Sequence, residues 1–178
     1  MARRSYPPAK VYGLLEPGPV ALLTTAGKAG PNVMTMSWLT MMEFEPPLIG
    51  CVVSGRNFSF EALRKTKQGV IAIPTVELAD QVVAVGNCSG CEVDKFAEFD
   101  LTPLPAEQVA APLVKECYAN LECRVADGRL VNQYNFFILD VLKAWVGTAW
   151  KDPRTLHHRG KGRFFVAGET VKLKPKAK

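Results

Sequence analysis

From Val20 to Ile73 the apolar residues come in short blocks punctuated by Gly, Pro and Asn, the spacing of strands and not of long helices. Pro17-Gly18-Pro19 makes a turn, and Val20 to Thr25 reads as a strand that is short, apolar and closed by β-branched residues. A loop over 26–32 leads into a long alternating segment. There Met34, Met36, Trp38, Thr40 and Met42 share one face, while Val33, Thr35, Ser37, Leu39 and Met41 share the other, and both faces are expected to be mostly buried. Pro46-Pro47 ends the segment, because proline has no N–H to give a ladder, and Leu48 to Ser54 supplies the next strand of a meander. Asn57 or Ser59 can cap a short helix that ends before Gly69, and Gly69 to Ile73 is a strand halted at Pro74.

Downstream, the apolar spacing predicts a helix over Val76–Val85 and a second, short one over Val93–Phe99, with Gly86 to Gly90 as the break. Leu101 to Pro112 is a proline-punctuated connection. Two long strands follow, Tyr118–Val125 and Leu130–Trp150, with Asp127-Gly128 read as a two-residue hairpin turn, and Gly160–Leu173 returns as a short hairpin. Strands joined by turns, with helices inserted and not alternating, predict a mainly β chain of seven or eight strands. An antiparallel barrel is favoured over a doubly wound parallel sheet.

Composition adds limits. At 178 residues the chain is expected to form a single domain over 1–178, with an N-terminal extension at about 1–18 and a basic tail at about 170–178. Five cysteines are an odd number and no secretory apolar stretch follows Met1-Ala2-Arg3-Arg4, so reduced thiols and a cytoplasmic location are expected. Apolar runs such as Phe136–Leu139 fall far short of the roughly 18 residues of a membrane span. Part of the net charge of +5 sits at the two ends of the chain. Aromatic residues are not interleaved with the lysines, so neither nucleic acid nor membrane is expected as a partner.

Four clusters carry candidate chemistry. Trp38 and the methionines offer apolar walls beside the compact hydroxyls of Thr35 and Ser37, a mixture suited to a flat ligand and equally to a methionine-rich core strand. Ser54-Gly55-Arg56-Asn57-Phe58-Ser59 places a glycine, an arginine and a helix start together, the parts of an anion site; a capped helix beside a solvated arginine has the same composition. Cys88-Ser89-Gly90-Cys91 is a Cys-x-x-Cys. As a zinc site it needs two further ligands, for which Cys117 and Cys123 are poorly spaced; as a redox dithiol it lacks the βαβ setting of thioredoxin. The two histidines, His157 and His158, stand in a loop with Arg154 and Arg159, positioned either as plain surface or to meet a phosphate or carboxylate. Walker, dinucleotide and nucleophile-elbow motifs are absent, which removes the central residues of a Rossmann or hydrolase reading.

Taken in order, Asn32-Val33-Met34-Thr35-Met36-Ser37-Trp38, Glu45-Pro46-Pro47-Leu48, Ser54 to Ser59, and Cys88-Ser89-Gly90 with Asp94-Lys95-Phe96 resemble the flavin reductase-like family, especially its flavoredoxin-type members. The resemblance runs from about Pro19 to Gly168. It implies a Greek-key split β-barrel with a few short flanking helices, dimerising, with FMN bound noncovalently near the subunit interface. Thr35, Met36, Ser37 and Trp38 would then lie along the isoalloxazine and ribityl chain, and Ser54, Gly55, Arg56, Asn57, Phe58 and Ser59 around the phosphate. Ser89, Gly90, Lys95 and Phe96 match a later motif that completes the pocket. Here Gly86-Asn87-Cys88 stands where many members have Cys-Gly, and Asn57-Phe58-Ser59 lacks their phosphate-loop threonine.

By the same resemblance the chemistry is flavin-borne, without a catalytic side chain or a metal: NADH or NADPH reduces FMN, and electrons pass to free flavin, a ferric complex or a redox protein. His157 or Arg159 is expected to steady the phosphates of the donor. Two alternatives stay open at this point: an FMN electron carrier reduced by a protein partner, and a redox or metal protein built on Cys88 and Cys91.

Overall fold

The computed structural model describes residues 18–173, so most of the expected N-terminal extension and the end of the basic tail lie outside it. Strands β1 (Gly18–Pro19), β2 (Ala21–Gly27), β3 (Gly30–Met36), β4 (Leu39–Glu43) and β5 (Leu48–Val52) lead to helix α1 (Phe58–Thr66) and β6 (Gln68–Ile73). A 3-10 turn (Val76–Leu78) then runs into α2 (Ala79–Asn87), followed by α3 (Lys95–Glu98) and the short strands β7 (Pro103–Leu104) and β8 (Leu113–Val114). Strand β9 (Ala119–Asp127), helix α4 (Val131–Tyr134), strand β10 (Phe136–Val146) and the hairpin β11 (Leu156–His158) and β12 (Phe164–Val166) complete the order.

Seven strands form one antiparallel sheet in the order β3-β2-β6-β9-β10-β5-β4. The two outermost, β3 and β4, are separated in sequence only by Ser37 and Trp38. The sheet must therefore curl until its edges meet there, which makes it a split barrel. Val52 N–H donates to Trp38 O at 3.0 Å and fastens the crossover to β5. Register shifts in β10, between Ile138 and Leu139 and between Val141 and Lys143, add the local bend that a long strand needs to follow the curl.

Period-2 alternation sorts the strands into two cores. Ala21, Leu23, Met34, Met36, Ile71, Phe137 and Leu139 fill the barrel with Phe60 and Leu63 of α1. Val20, Leu22, Val33 and Ala72 point outward and are covered by Val82 and Val85 of α2, Phe96 of α3 and Leu156 of β11. Strands β2, β3 and β6 thus have both faces covered, with α2, α3 and the β11–β12 hairpin forming the outer layer on one side.

Several sequence expectations change in detail. The long segment after Val33 is two strands, and β4 is largely exposed, because alternation continues across a crossover that hydrogen bonding does not. The expected strand from Leu130 begins instead with α4, which follows the Asp127-Gly128 turn, so β9 and β10 are not joined by a two-residue hairpin. The second expected helix shrinks to Lys95–Glu98, with Asp94 accepting from the N–H groups of Phe96 and Ala97 at 3.1 and 3.4 Å.

Candidate functional site

Where the barrel edges meet, an open cavity of about 500 Å³ lies between the end of β3, the crossover, α2 and the β11–β12 hairpin. Its walls are Met34, Met36, Trp38, Val82, Val83 and Phe164, with Thr35, Ser37, Ser54 and Asn57 as polar groups. Thr35 is anchored, its hydroxyl donating to Val82 O at 2.6 Å and tying β3 to α2. Gly162 also lines the cavity at φ +68°, a left-handed turn position that a side chain would strain.

A second pocket, about 210 Å³, shares Met34, Thr35, Asn57 and Gly86 with the first. The two are therefore one continuous groove with an apolar end and a polar end. The polar end holds Arg56, Phe58, Ser59, Cys88, Ser89, Gly90 and Lys95 and no carboxylate. It also faces the start of α1, where Asn57 stands at the N-cap without a side-chain cap bond; its amide contacts Met34 Sδ at 3.6 Å instead. Uncapped N–H groups of a helix start carry partial positive charge and await an acceptor. Asn32 Nδ2 donates to Ser59 Oγ at 2.7 Å, fixing that hydroxyl from the β3 side.

Lys95 is 5% exposed, and its ammonium donates to Val85 O at 2.8 Å near the C-terminal end of α2. Burial holds its pKa below the ordinary lysine value, while the nearby thiols of Cys88 and Cys91 pull the other way. One carbonyl satisfies one of its three N–H donors, and the remaining capacity borders a pocket without acid. With Arg56, whose side chain makes no ion pair among the described residues, the polar end is cationic.

Gly90 shows how closely this wall is built. A Cβ there would come within 2.7 Å of Asn32 Cγ and 2.9 Å of the Phe58 ring, and would run into Asn32 Oδ1. Only glycine lets the 88–91 segment approach β3 and α1 at this distance.

The groove gathers most of the residues singled out from sequence: Thr35, Met36, Ser37, Trp38 and Ser54 at one end, Arg56, Phe58, Ser59, Ser89, Gly90 and Lys95 at the other, and Asn57 in both. Four are elsewhere. Gly55 is exposed and lines neither part, and Phe96 is packed in the outer core. His157 faces Thr155, with Nε2 3.3 Å from its hydroxyl, and Arg159 lies over the Phe165 ring at 4.8 Å. The histidine at the groove is His158, beside the Phe164 ring at 5.2 Å. Sequence reasoning named both histidines but gave the donor contact to His157, and it passed over Val82 and Val83; the pairing of β1 with β11, which sets His158 opposite Gly18, decides which histidine turns inward. A separate cavity of about 470 Å³, on the other flank of α1, meets the polar pocket at Asn32 and Phe58; it contains Glu61 and lacks Arg56 and Lys95. Among the described residues no three His, Cys, Asp or Glu lie together as a metal site, and no helix is long and apolar enough to cross a membrane.

The same architecture is found in known proteins. The fold superposes on the FMN-binding domain of a flavin reductases-like enzyme from Shewanella baltica with a TM-score of 0.82 and 26% identity, covering 96% of this chain and 97% of that one. Flavoredoxin of Desulfovibrio vulgaris (Miyazaki F) shares the fold at a TM-score of 0.80 and 23% identity, over 88% of this chain and 90% of that one. In sequence, the chain is 31% identical over 172 residues to the uncharacterized protein YddH of Escherichia coli (strain K12), covering 89% of this chain and 91% of YddH. Residues 14–165 match the family described as the flavin reductase like domain, so the chain belongs to the flavin reductase-like family.

Proposed function

We propose that the chain is an FMN-binding oxidoreductase whose groove takes the flavin ring at its apolar end and the phosphate at its cationic end. The observation that carries this is the continuity of the two ends: a flat apolar slot joined to an acid-free pocket with Arg56, Lys95 and an uncapped helix start. The Shewanella baltica relative, described as an FMN-binding domain, supports the choice of flavin.

Bound FMN would supply a ring that accepts hydride at N5 from NADH or NADPH and hands electrons on to free flavin, a ferric complex or a redox protein. The chain's own residues bind and orient. Arg56 and Lys95 neutralise a phosphate dianion, and Ser59 and Ser89 add hydroxyl donors beside them. Met34, Met36 and Val82 exclude water from one side of the slot, while Thr35 and Ser37 meet polar edges of a ring or the ribityl hydroxyls. The half-buried His158 and Phe164 border the open side, where a nicotinamide would approach. This moves the donor contact from His157 and Arg159 to His158.

Trp38, Met41, Met42 and Phe44 leave an apolar strip beside the groove, with Phe44 84% exposed. A second copy of the chain covering this strip would shield the flavin slot, and we assign it the role of a homodimer interface. Sedimentation equilibrium should give twice the chain mass, and Phe44→Asp should shift it toward monomer.

The decisive experiment is an anaerobic visible spectrum with FMN added and then NADH or NADPH. Flavin bands that shift on binding and bleach with the nucleotide support the reductase. Bands that bleach only with dithionite leave the electron carrier, and no binding of FMN removes the flavin reading.

A further inference from the structure

Cys88 and Cys91 flank Ser89 and Gly90, the two residues that form one wall of the anion pocket. The other three cysteines are buried, and burial pushes the thiols of Cys51, Cys117 and Cys123 up to about 12, which leaves them protonated and inert. Cys88 is half-buried at the pocket, and Cys91 is exposed. Just after Cys88 the chain turns back on itself around Cys91: the N–H groups of Glu92 and Val93 both reach Ser89 O, at 3.1 and 3.3 Å. Cys91 Sγ stands 3.0 Å from Ser89 Oγ. Three residues apart in the chain, the two cysteines have the Cys-x-x-Cys spacing at which redox dithiols close a disulfide.

We propose that Cys88 and Cys91 form a thiol–disulfide couple that sets how tightly the pocket holds the FMN phosphate, an inference that rests on the flavin reading. The oxidant is a small external disulfide such as glutathione disulfide. Cys91, the sulfur that solvent reaches, attacks as thiolate and forms a mixed disulfide, releasing one glutathione thiolate. Cys88 then attacks the Cys91 sulfur and releases the second. Two protein thiols are oxidised to one disulfide, one glutathione disulfide is reduced to two thiols, and the two protons pass to the leaving thiolates.

Closing this bridge draws the two free sulfurs together and so pulls on the 88–91 span. Gly90 cannot move inward, because Asn32 and the Phe58 ring already stand against it. The segment must move outward, taking Ser89 with it and away from the phosphate. The oxidised protein therefore holds FMN more weakly, on the order of tenfold, the loss of one hydrogen bond to a charged group. By linkage, bound FMN makes the bridge easier to reduce by the same factor, about 30 mV for a two-electron couple.

The test is FMN titration of the full chain after equilibration with reduced or oxidised glutathione, alongside a denatured thiol count and intact mass. The expected oxidised form has three free thiols of the five, is two hydrogens lighter, and binds FMN about tenfold more weakly. Cys91→Ser should bind FMN alike in both buffers. Five free thiols after oxidation, or a disulfide with unchanged FMN affinity, would overturn the proposal. Absence of FMN binding in both states overturns it together with the flavin reading, and the thiol count alone then reports whether the couple exists.

Discussion

Among the described residues two charges are buried, and they are treated in opposite ways. Glu122, on β9, is fully buried, and its carboxylate is met by Trp145 Nε1–H at 2.7 Å and by the N–H groups of Glu107 and Gln108 at 3.1 and 2.5 Å. Burial works to raise its pKa, but the Trp145 indole and the N–H groups of Gln108, Glu107 and Val109 outweigh it, and the carboxyl is held below its ordinary range. Lys95 has one carbonyl and an open pocket. A charge whose partners are all internal serves the fold; here it pins the 103–114 connection to the sheet. A charge left with spare donors beside an acid-free cavity costs the empty protein stability and returns it to an arriving anion.

This contrast can be broken by substitution. Glu122→Gln puts an NH₂ among N–H donors, and thermal unfolding should show a loss of about 3 kcal/mol, roughly 6–12 °C in Tm, with FMN affinity retained by the folded protein. Lys95→Met should do the reverse: FMN affinity read by fluorescence titration falls roughly 10- to 100-fold, while Tm stays within about 2–4 °C. If Lys95→Met destabilises as much as Glu122→Gln, Lys95 is structural and the contrast fails.

The pH dependence sharpens the comparison: both pKa values are lowered, so both groups add stability as pH rises, Glu122 through a favourable charge and Lys95 through relief of an unfavourable one, in different pH windows. Glu122 has a lowered folded-state pKa, so its contribution to stability is complete above the unfolded value and is lost as pH falls through the folded one. Lys95 also has a lowered pKa, but as a cation: the penalty of burying its charge is relieved as pH rises from its folded toward its unfolded value. Over that alkaline window the empty protein should gain stability while FMN affinity falls, and Lys95→Met should flatten both trends in paired unfolding and binding titrations. The smallest effect is expected from Thr35→Val, which removes the bond to Val82 O at the cost of about 1 kcal/mol, with FMN affinity changed less than by Lys95→Met.

Much of the candidate groove could be read from the sequence. The alternation from Val33 to Met36 predicts a strand buried on both faces, and glycine, arginine and a helix start in one short run are the parts of an anion site. What stayed hidden depends on partners distant in sequence. Period 2 does not reveal that the chain leaves one sheet edge after Met36 and joins the other at Leu39, since side-chain alternation carries no record of which strand receives the hydrogen bonds. Likewise, His157 and His158 are chemically identical neighbours, separated only by the β1–β11 register. Phe96, beside Lys95 on a helix of one turn, is turned into the outer core because Val82 and Leu101 leave a space for it there.

The crossover at Ser37 and Trp38 also has a kinetic meaning. It is the seam where the barrel closes, and the same two residues wall the groove. Opening the seam would therefore take apart one wall of the groove. The amide of Val52, whose proton is held by Trp38 O across that seam, offers a clock for it: its exchange with solvent deuterium should slow when FMN is added if the proposed flavin fills the groove.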